Sequence, residues 1–145
     1  MSEGCRVDFY VLQDASQSPE LIACQLALKA WEQGNRTLVL MVDESATKRM
    51  DSLLWEQPHG RFLPHARMGA GTDAPILIGT LGHLESAIAE VLINLTPQPV
   101  DRPGRFERLL ELVPADAGLK QASREKFRAY KSLGLEPVTH ELNRT

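Results

Sequence analysis

Apolar residues follow two patterns along this chain: short uniform runs, and longer stretches in which they recur at helical spacing. The uniform runs are rich in β-branched residues and carry almost no charge, which is typical of strands buried on both faces of a parallel sheet. These runs predict strands over residues 7–12, 37–42, 75–80 and 91–95.

Apolar residues spaced three and four apart predict helices over residues 19–33, 45–56, 105–113 and 119–133. Ser18 is a candidate N-cap with Pro19 at the first helical position, and Gly34 supplies a left-handed residue that ends the first helix. Residues 83–90 fit either a short helix or no regular element. Residues 135–145 are expected to form a mobile C-terminal tail.

The order strand, helix, strand at the start of the chain forms a βαβ unit, whose right-handed crossover makes its two strands parallel. We therefore predict a three-layer α/β fold, with a mostly parallel central sheet flanked by helices. At 145 residues the chain has enough material for one domain with a hydrophobic core and too little for a second.

Rossmann-like sheets of this kind often bind nucleotides, but the loops that would hold a phosphate are missing from the sequence. There is no G-x-x-x-x-G-K-[ST] motif. Gly69-Ala70-Gly71 stands before a proline and a strand instead of joining a strand to a helix, and residues 13–18 contain no glycine. We expect neither a nucleotide site nor any other cofactor.

Charge and composition also exclude several classes of function. The 16 basic and 19 acidic side chains give a formal charge of −3, so any role with nucleic acid should be indirect. No apolar run could cross a bilayer and the first residues do not form a signal peptide, so we expect a cytoplasmic protein with no membrane partner. Two cysteines are too few for a disulfide framework, and Cys24 has the surroundings of a buried thiol.

Asp43 and Glu44 are the best-placed catalytic candidates, because they follow a predicted central strand at the end where α/β folds bind ligands. A small nucleotide- or phosphate-binding enzyme with its site there is the alternative function. The same residues also suit the N-cap of the helix over 45–56. The four histidines have no partner that the sequence identifies and are interpreted as surface or capping residues: His59, His65, His83 and His140.

An unusual cluster of aromatic and proline residues follows that helix, between Trp55 and His65. It contains too many prolines for a regular element. Either these residues plug the edge of the sheet, or they form a surface that another protein covers.

The last predicted helix carries basic residues at intervals of four, four and three: Lys120, Arg124, Arg128 and Lys131. Such spacing aligns four like charges along one side of the helix, beside Leu119, Phe127 and Tyr130. This basic stripe is either a solvated helix surface or a slot for an acidic peptide with an apolar end. A weaker alternative is a groove that stacks single-stranded DNA on Phe127 and Tyr130.

Several of these segments resemble the chi subunits of bacterial DNA polymerase III, small accessory subunits associated with the clamp loader. The similarity includes VDFYVL, the helix ending AWEQGNR, and MVDESATKRMDSLLWEQPHGRFLPH. It returns in ELVPADAGLKQASREKFRAYKSLG and is weaker over residues 66–104. The resemblance implies a mononucleotide-binding type of fold that carries no nucleotide.

The resemblance also implies two protein partners. The psi subunit, which tethers chi to the clamp loader, would contact Trp55, Phe62, Leu63 and Pro64. The acidic, phenylalanine-ended tail of single-stranded-DNA-binding protein would bind Val113, Leu119, Lys120, Arg124, Phe127, Arg128 and Tyr130. The expected function is a non-catalytic replication adaptor.

Overall fold

The computed structural model describes residues 5–14, 16–57, 63–69 and 74–142. Phe62, which the resemblance assigned to a partner contact, lies outside these residues. So do His59, Pro58, Gly60 and Gly71.

In the part of the chain that the structure describes, seven parallel strands form one sheet at the centre of the protein, in the order β3-β4-β2-β5-β6-β1-β7. The strands are β1 (Arg6–Leu12), β2 (Thr37–Leu40), β3 (His65–Arg67), β4 (Ile76–Gly79), β5 (Val91–Asn94), β6 (Arg108–Val113) and β7 (Val138–Leu142). The expected α/β class and parallel sheet are confirmed. β1 and β2 are parallel, but β6 and β5 lie between them.

Helices cover both faces of the sheet, which gives the predicted three layers. Helices α1 (Pro19–Glu32) and α2 (Glu44–Glu56) pack on one face, together with the side chains of Val39, Ile93 and Leu110. Helix α3 (Ala117–Ser132) packs on the other face with Phe9, Leu92 and Leu109. The described residues also include short 3₁₀ helices over Leu81–Ser86 and Pro103–Arg105, in the connections before β5 and β6. No helix within the described ranges is long and apolar enough to cross a membrane.

The helix ends form as the sequence predicts. Ser18 is the N-cap of α1 and its hydroxyl accepts from the Leu21 amide at 3.3 Å, with Pro19 in the first turn. Gly34 follows α1 with φ +82°, a conformation in which only glycine avoids a steric penalty. Local sequence therefore fixes the length of this helix.

The predicted helix over residues 105–113 is wrong, because this segment contains β6. Leu109 and Val113 are buried on the α3 side of the sheet, whereas Leu110 and Leu112 are buried on the α1 side. A strand buried on both faces has a continuous apolar run, and such a run also satisfies helical spacing. The choice between the two depends on β5 and β1, which pair with β6 on either side.

Two smaller expectations also need correction, and the structure settles one ambiguous segment. Residues Val138–Leu142, predicted to belong to a mobile tail, form β7 and pair with β1. His65–Arg67, predicted to lie in an irregular stretch, form β3 at the opposite edge. The ambiguous residues 83–90 begin in the 3₁₀ helix over Leu81–Ser86 and continue without regular structure to β5.

Candidate protein-binding sites

Helix α3 and the sheet border an open surface pocket of about 230 Å³, which we call the α3 pocket. Its floor comes from three adjacent strands and its wall from one side of α3. The lining residues are Phe9, Val11, Val113, Lys120, Ser123, Arg124, Phe127 and Thr139. An apolar floor thus meets two cationic side chains at the helix.

Local sequence explains how α3 presents these groups. Asp116 is its N-cap, with Oδ1 accepting from the Leu119 amide at 3.0 Å. Lys120, Arg124 and Phe127 lie four and three residues apart, so they project from one side of the helix. The Phe127 ring packs against Phe9, with ring centroids 5.4 Å apart. This contact fixes the apolar end of the pocket.

The structure brings together four of the seven residues that the resemblance assigned to tail binding: Val113, Lys120, Arg124 and Phe127. Leu119 lies on the other side of α3, where it lines a second cavity of about 240 Å³. Arg128 is exposed and lines neither cavity. Tyr130 is fully buried, so it cannot serve as a wall of the pocket.

The burial of Tyr130 also removes one of the two rings proposed to stack single-stranded DNA. Its hydroxyl donates to Glu111 Oε2 at 2.6 Å and accepts from the Val100 amide at 2.9 Å. Burial, together with the neighbouring Glu111 carboxylate, raises the pKa of Tyr130, so the phenol stays protonated. Tyr130 is therefore a core residue whose polar end is bonded inside the protein.

Beneath α3 lies a set of bonded polar side chains that sequence reasoning missed, which we call the Glu111 network. Lys126 Nζ lies 2.7 Å from Glu111 Oε1 and donates to the Thr96 carbonyl at 2.5 Å. Asn94 Nδ2 donates to Glu111 Oε2 at 2.9 Å. Burial raises the pKa of Glu111, against the opposing effects of Lys126 and these hydrogen bonds. The network ties α3 to β5 and β6.

At the opposite edge of the sheet, Trp55 in the last turn of α2 is exposed over 60% of its surface. Its indole meets the His65 ring edge-on, with centroids 4.7 Å apart. The His65 ring is held in turn by the Leu63 carbonyl at 2.6 Å and by Asp51 Oδ1 at 3.3 Å. Trp55 thus lies on a rigid support at the protein surface.

The other residues that the resemblance assigned to the psi contact differ from Trp55 in their exposure. Leu63 is fully buried and belongs to the core beneath α1 and α2, so its side chain is not available to a partner. Pro64 is half-buried. Leu63 therefore agrees with the interpretation that this stretch plugs the edge of the sheet. Trp55 agrees with the interpretation that it forms a surface for another protein.

The carboxylates considered for catalysis have a structural role that the sequence also allowed. Asp43 is the N-cap of α2, and its Oδ1 accepts from the Ala46 amide at 2.8 Å. Glu44 is an exposed residue in the first turn of the same helix. Both positions follow from helix capping without a ligand.

Comparison with known proteins agrees with the sequence resemblance. A family model described as DNA polymerase III chi subunit, HolC, matches residues 5–138. The DNA polymerase III subunit chi of Pseudomonas aeruginosa is 37% identical over 140 residues, covering 96% of this chain and 98% of that protein. The subunit chi of Escherichia coli is 32% identical over 133 residues, covering 87% and 90%.

Among solved structures, the C-terminal domain of the DEAD-box protein Dbp5 superposes with a TM-score of 0.60. The match covers 93% of this chain and 90% of that one, at 8% sequence identity. At such low identity the likeness concerns the fold alone.

Proposed function

Because the chain belongs to the DNA polymerase III chi subunit family, we propose that it is a non-catalytic adaptor of the polymerase holoenzyme. In this role it binds psi, and through psi the clamp loader, and it also binds the acidic C-terminal tail of single-stranded-DNA-binding protein. It acts in the cytoplasm and meets DNA only through that second protein.

The α3 pocket is the observation that carries this proposal. A peptide ending in phenylalanine presents an aromatic ring and a terminal carboxylate close together. The apolar floor formed by Phe9, Val11 and Val113 suits the ring. Lys120 and Arg124 at the wall suit the carboxylate, because an arginine can bind it through two parallel hydrogen bonds.

The chemistry of the pocket also predicts the strength of binding. A short disordered tail loses conformational entropy when it binds, so a dissociation constant on the order of micromolar is expected. The cations are near the surface, so affinity should fall as salt screens them. Several tails on one oligomer, together with the tether through psi, would raise the effective affinity without new contacts.

The psi contact of this proposal rests on Trp55. Exposed aromatic side chains on a rigid support are typical centres of protein interfaces, because they bury a large area at little entropic cost. Trp55 has both properties. Pro64, beside the same support, would extend the contact, and the family resemblance adds Phe62.

The experiment is a fluorescence-anisotropy titration of the full chain with an acidic peptide ending in Asp-Phe and a free carboxylate. Binding should require the phenylalanine and weaken with salt. Arg124→Ala should reduce affinity at least about tenfold, since a hydrogen-bonded charge pair contributes roughly 1.5–3 kcal/mol. Lys48→Ala is the matched control, because Lys48 is an exposed cation on α2, away from the pocket. Equal binding by both variants would refute the assignment of the pocket.

A further inference from the structure

Strand β7 presents an open edge next to the α3 pocket. It is the last strand of the sheet and pairs with β1 from Asp8–Val138 to Leu12–Leu142. Within the described part of the chain, no strand pairs with its outer side. Its sequence VTHEL contains neither proline nor lysine, two residues that commonly protect such edges from pairing, and Glu141 is its one carboxylate. Backbone N–H and C=O groups along this edge are therefore suited to receive another strand.

The edge and the pocket are continuous. Thr139 of β7 lines the pocket opposite Arg124. The Phe127 ring closes the pocket towards the interior, where it packs on Phe9 of β1. A peptide whose last residue occupies the pocket therefore leaves it across β7.

Charge decides the direction of that peptide. Since α3 connects the parallel strands β6 and β7, it runs opposite to them, and Lys120 lies nearer their carboxyl ends than Arg128 and Lys131 do. Acidic residues that precede the terminus are attracted along this basic stripe, towards Val138. Exposed carboxylates stand near both ends of β7, Glu136 before Val138 and Glu141 near the other end, so the basic stripe on α3 decides the direction.

We propose that the acidic residues preceding the terminal phenylalanine of the tail add to the sheet as a further parallel strand along the outer edge of β7. This inference rests on the proposed function, because it requires the terminal residue to occupy the α3 pocket. The side chain in the pocket then gives specificity, and main-chain hydrogen bonds to β7 give part of the affinity.

Peptides carrying one backbone N-methyl group each, at successive positions before the phenylalanine, test this arrangement. A strand directs its N–H groups alternately to its two sides, so only every second methyl group should weaken binding. The expected loss at those positions is about fivefold or more, which corresponds to one lost hydrogen bond of about 1 kcal/mol. The intervening positions should tolerate the methyl group.

Amide hydrogen exchange of the full chain gives a second readout. Saturating unmethylated peptide should slow alternate amides of β7 that face away from β1. The amides of β3, at the other edge of the sheet, are the internal control and should not change.

The outcomes separate the two levels of the proposal. No binding of the unmethylated peptide would overturn both the proposed function and the added strand. Phenylalanine-dependent binding with no alternation among the methylated peptides, or with unchanged exchange in β7, would overturn the added strand and leave the pocket intact.

Discussion

Lys126 and Glu111 form an ion pair inside the protein, with Nζ 2.7 Å from Oε1 and both side chains almost completely buried. Lys126 is part of α3, and Glu111 belongs to β6, an inner strand of the sheet. The pair therefore fixes the side of α3 that faces the sheet. With α3 held in this orientation about its own axis, Arg124 and Phe127 lie at the α3 pocket. They are two residues before and one residue after Lys126.

We predict that Lys126→Met destabilises the protein by about 3–5 kcal/mol, because it leaves the Glu111 carboxylate buried without its cation. Urea denaturation measures the change. The double variant Lys126→Met, Glu111→Leu should recover only part of the loss, since it removes both charges but leaves the Tyr130 hydroxyl and Asn94 Nδ2 without their acceptor. A single variant as stable as the native protein would show that the pair contributes little.

Substitutions of Tyr130 and Phe127 should affect different properties: the first should lower stability, and the second should lower affinity for the tail. Tyr130→Phe removes a hydroxyl that bonds Glu111 and Val100, at an expected cost of about 1–3 kcal/mol, and leaves the α3 pocket intact. Phe127→Ala should abolish most tail binding, because Phe127 lines the pocket. Denaturation and peptide titration of both variants check this. Loss of tail affinity in a folded Tyr130→Phe protein would contradict the structural assignment.

Acid should remove the stabilisation that Asp8 provides. Burial by itself raises the pKa of Asp8, but hydrogen bonds from His140 and Arg108 and the charge of Arg6 outweigh it, so the pKa lies below its ordinary value. His140 Nε2 is 2.8 Å from Oδ1, and Arg108 Nη2 is 3.0 Å from Oδ2.

A carboxyl whose pKa is lower in the folded state stabilises the fold fully above its unfolded pKa of about 3.9 and loses this effect as pH falls through the folded value. The stability difference between the native protein and Asp8→Asn should therefore be largest near neutral pH and shrink below about pH 4. Urea denaturation across this range measures it. A difference that does not depend on pH would refute the argument.

Gly79 should not tolerate a side chain. A Cβ added there would lie 2.9 Å from Met68 Cγ and 3.2 Å from His83 Cβ. Gly79→Ala should therefore cost about 1–3 kcal/mol through overpacking. Gly82→Ala is the control, because the nearest atom to its added Cβ is Thr80 Oγ1 at 3.9 Å. Thermal melts of the two variants compare them directly, and equal melting temperatures would contradict the prediction.

The sequence predicted those elements whose signals are local. Ser18, Pro19 and Gly34 define α1 by their own capping and backbone preferences. β6 was missed because the assignment of a continuous apolar run depends on neighbouring strands that are distant in sequence. β7 was missed because its exposed residues show no buried pattern, and its order comes from pairing with β1.

The same distinction applies to the α3 pocket. Lys120, Arg124 and Phe127 share one helix, so their spacing was enough to predict that they lie together. Phe9 and Thr139 approach them only through the order of strands in the sheet, which no local pattern specifies. The contact between Glu111 and Lys126 was hidden for the same reason.

The aromatic stretch after α2 gives a test in which neighbouring residues should behave differently. Leu63→Ala removes a fully buried side chain and should cost about 2–5 kcal/mol of stability. Trp55→Ala removes a largely exposed ring, so the change in stability should be much smaller. Binding to psi should fall strongly in Trp55→Ala, because the indole is an exposed aromatic group of the proposed contact. Denaturation, together with co-purification with psi, measures both effects.

Tail binding supplies the control for this test, because the two sites lie near opposite edges of the sheet. Trp55 is near β3, and the α3 pocket is formed on β6, β1 and β7. Trp55→Ala should bind the acidic peptide with native affinity, and Arg124→Ala should retain psi. If Trp55→Ala retained psi as well, the contact would have to lie elsewhere, and the exposed indole would need another explanation. If it unfolded, the ring would contribute to the core despite its exposure. Only a folded Trp55→Ala protein that binds the tail and loses psi agrees with an adaptor that has two separate surfaces.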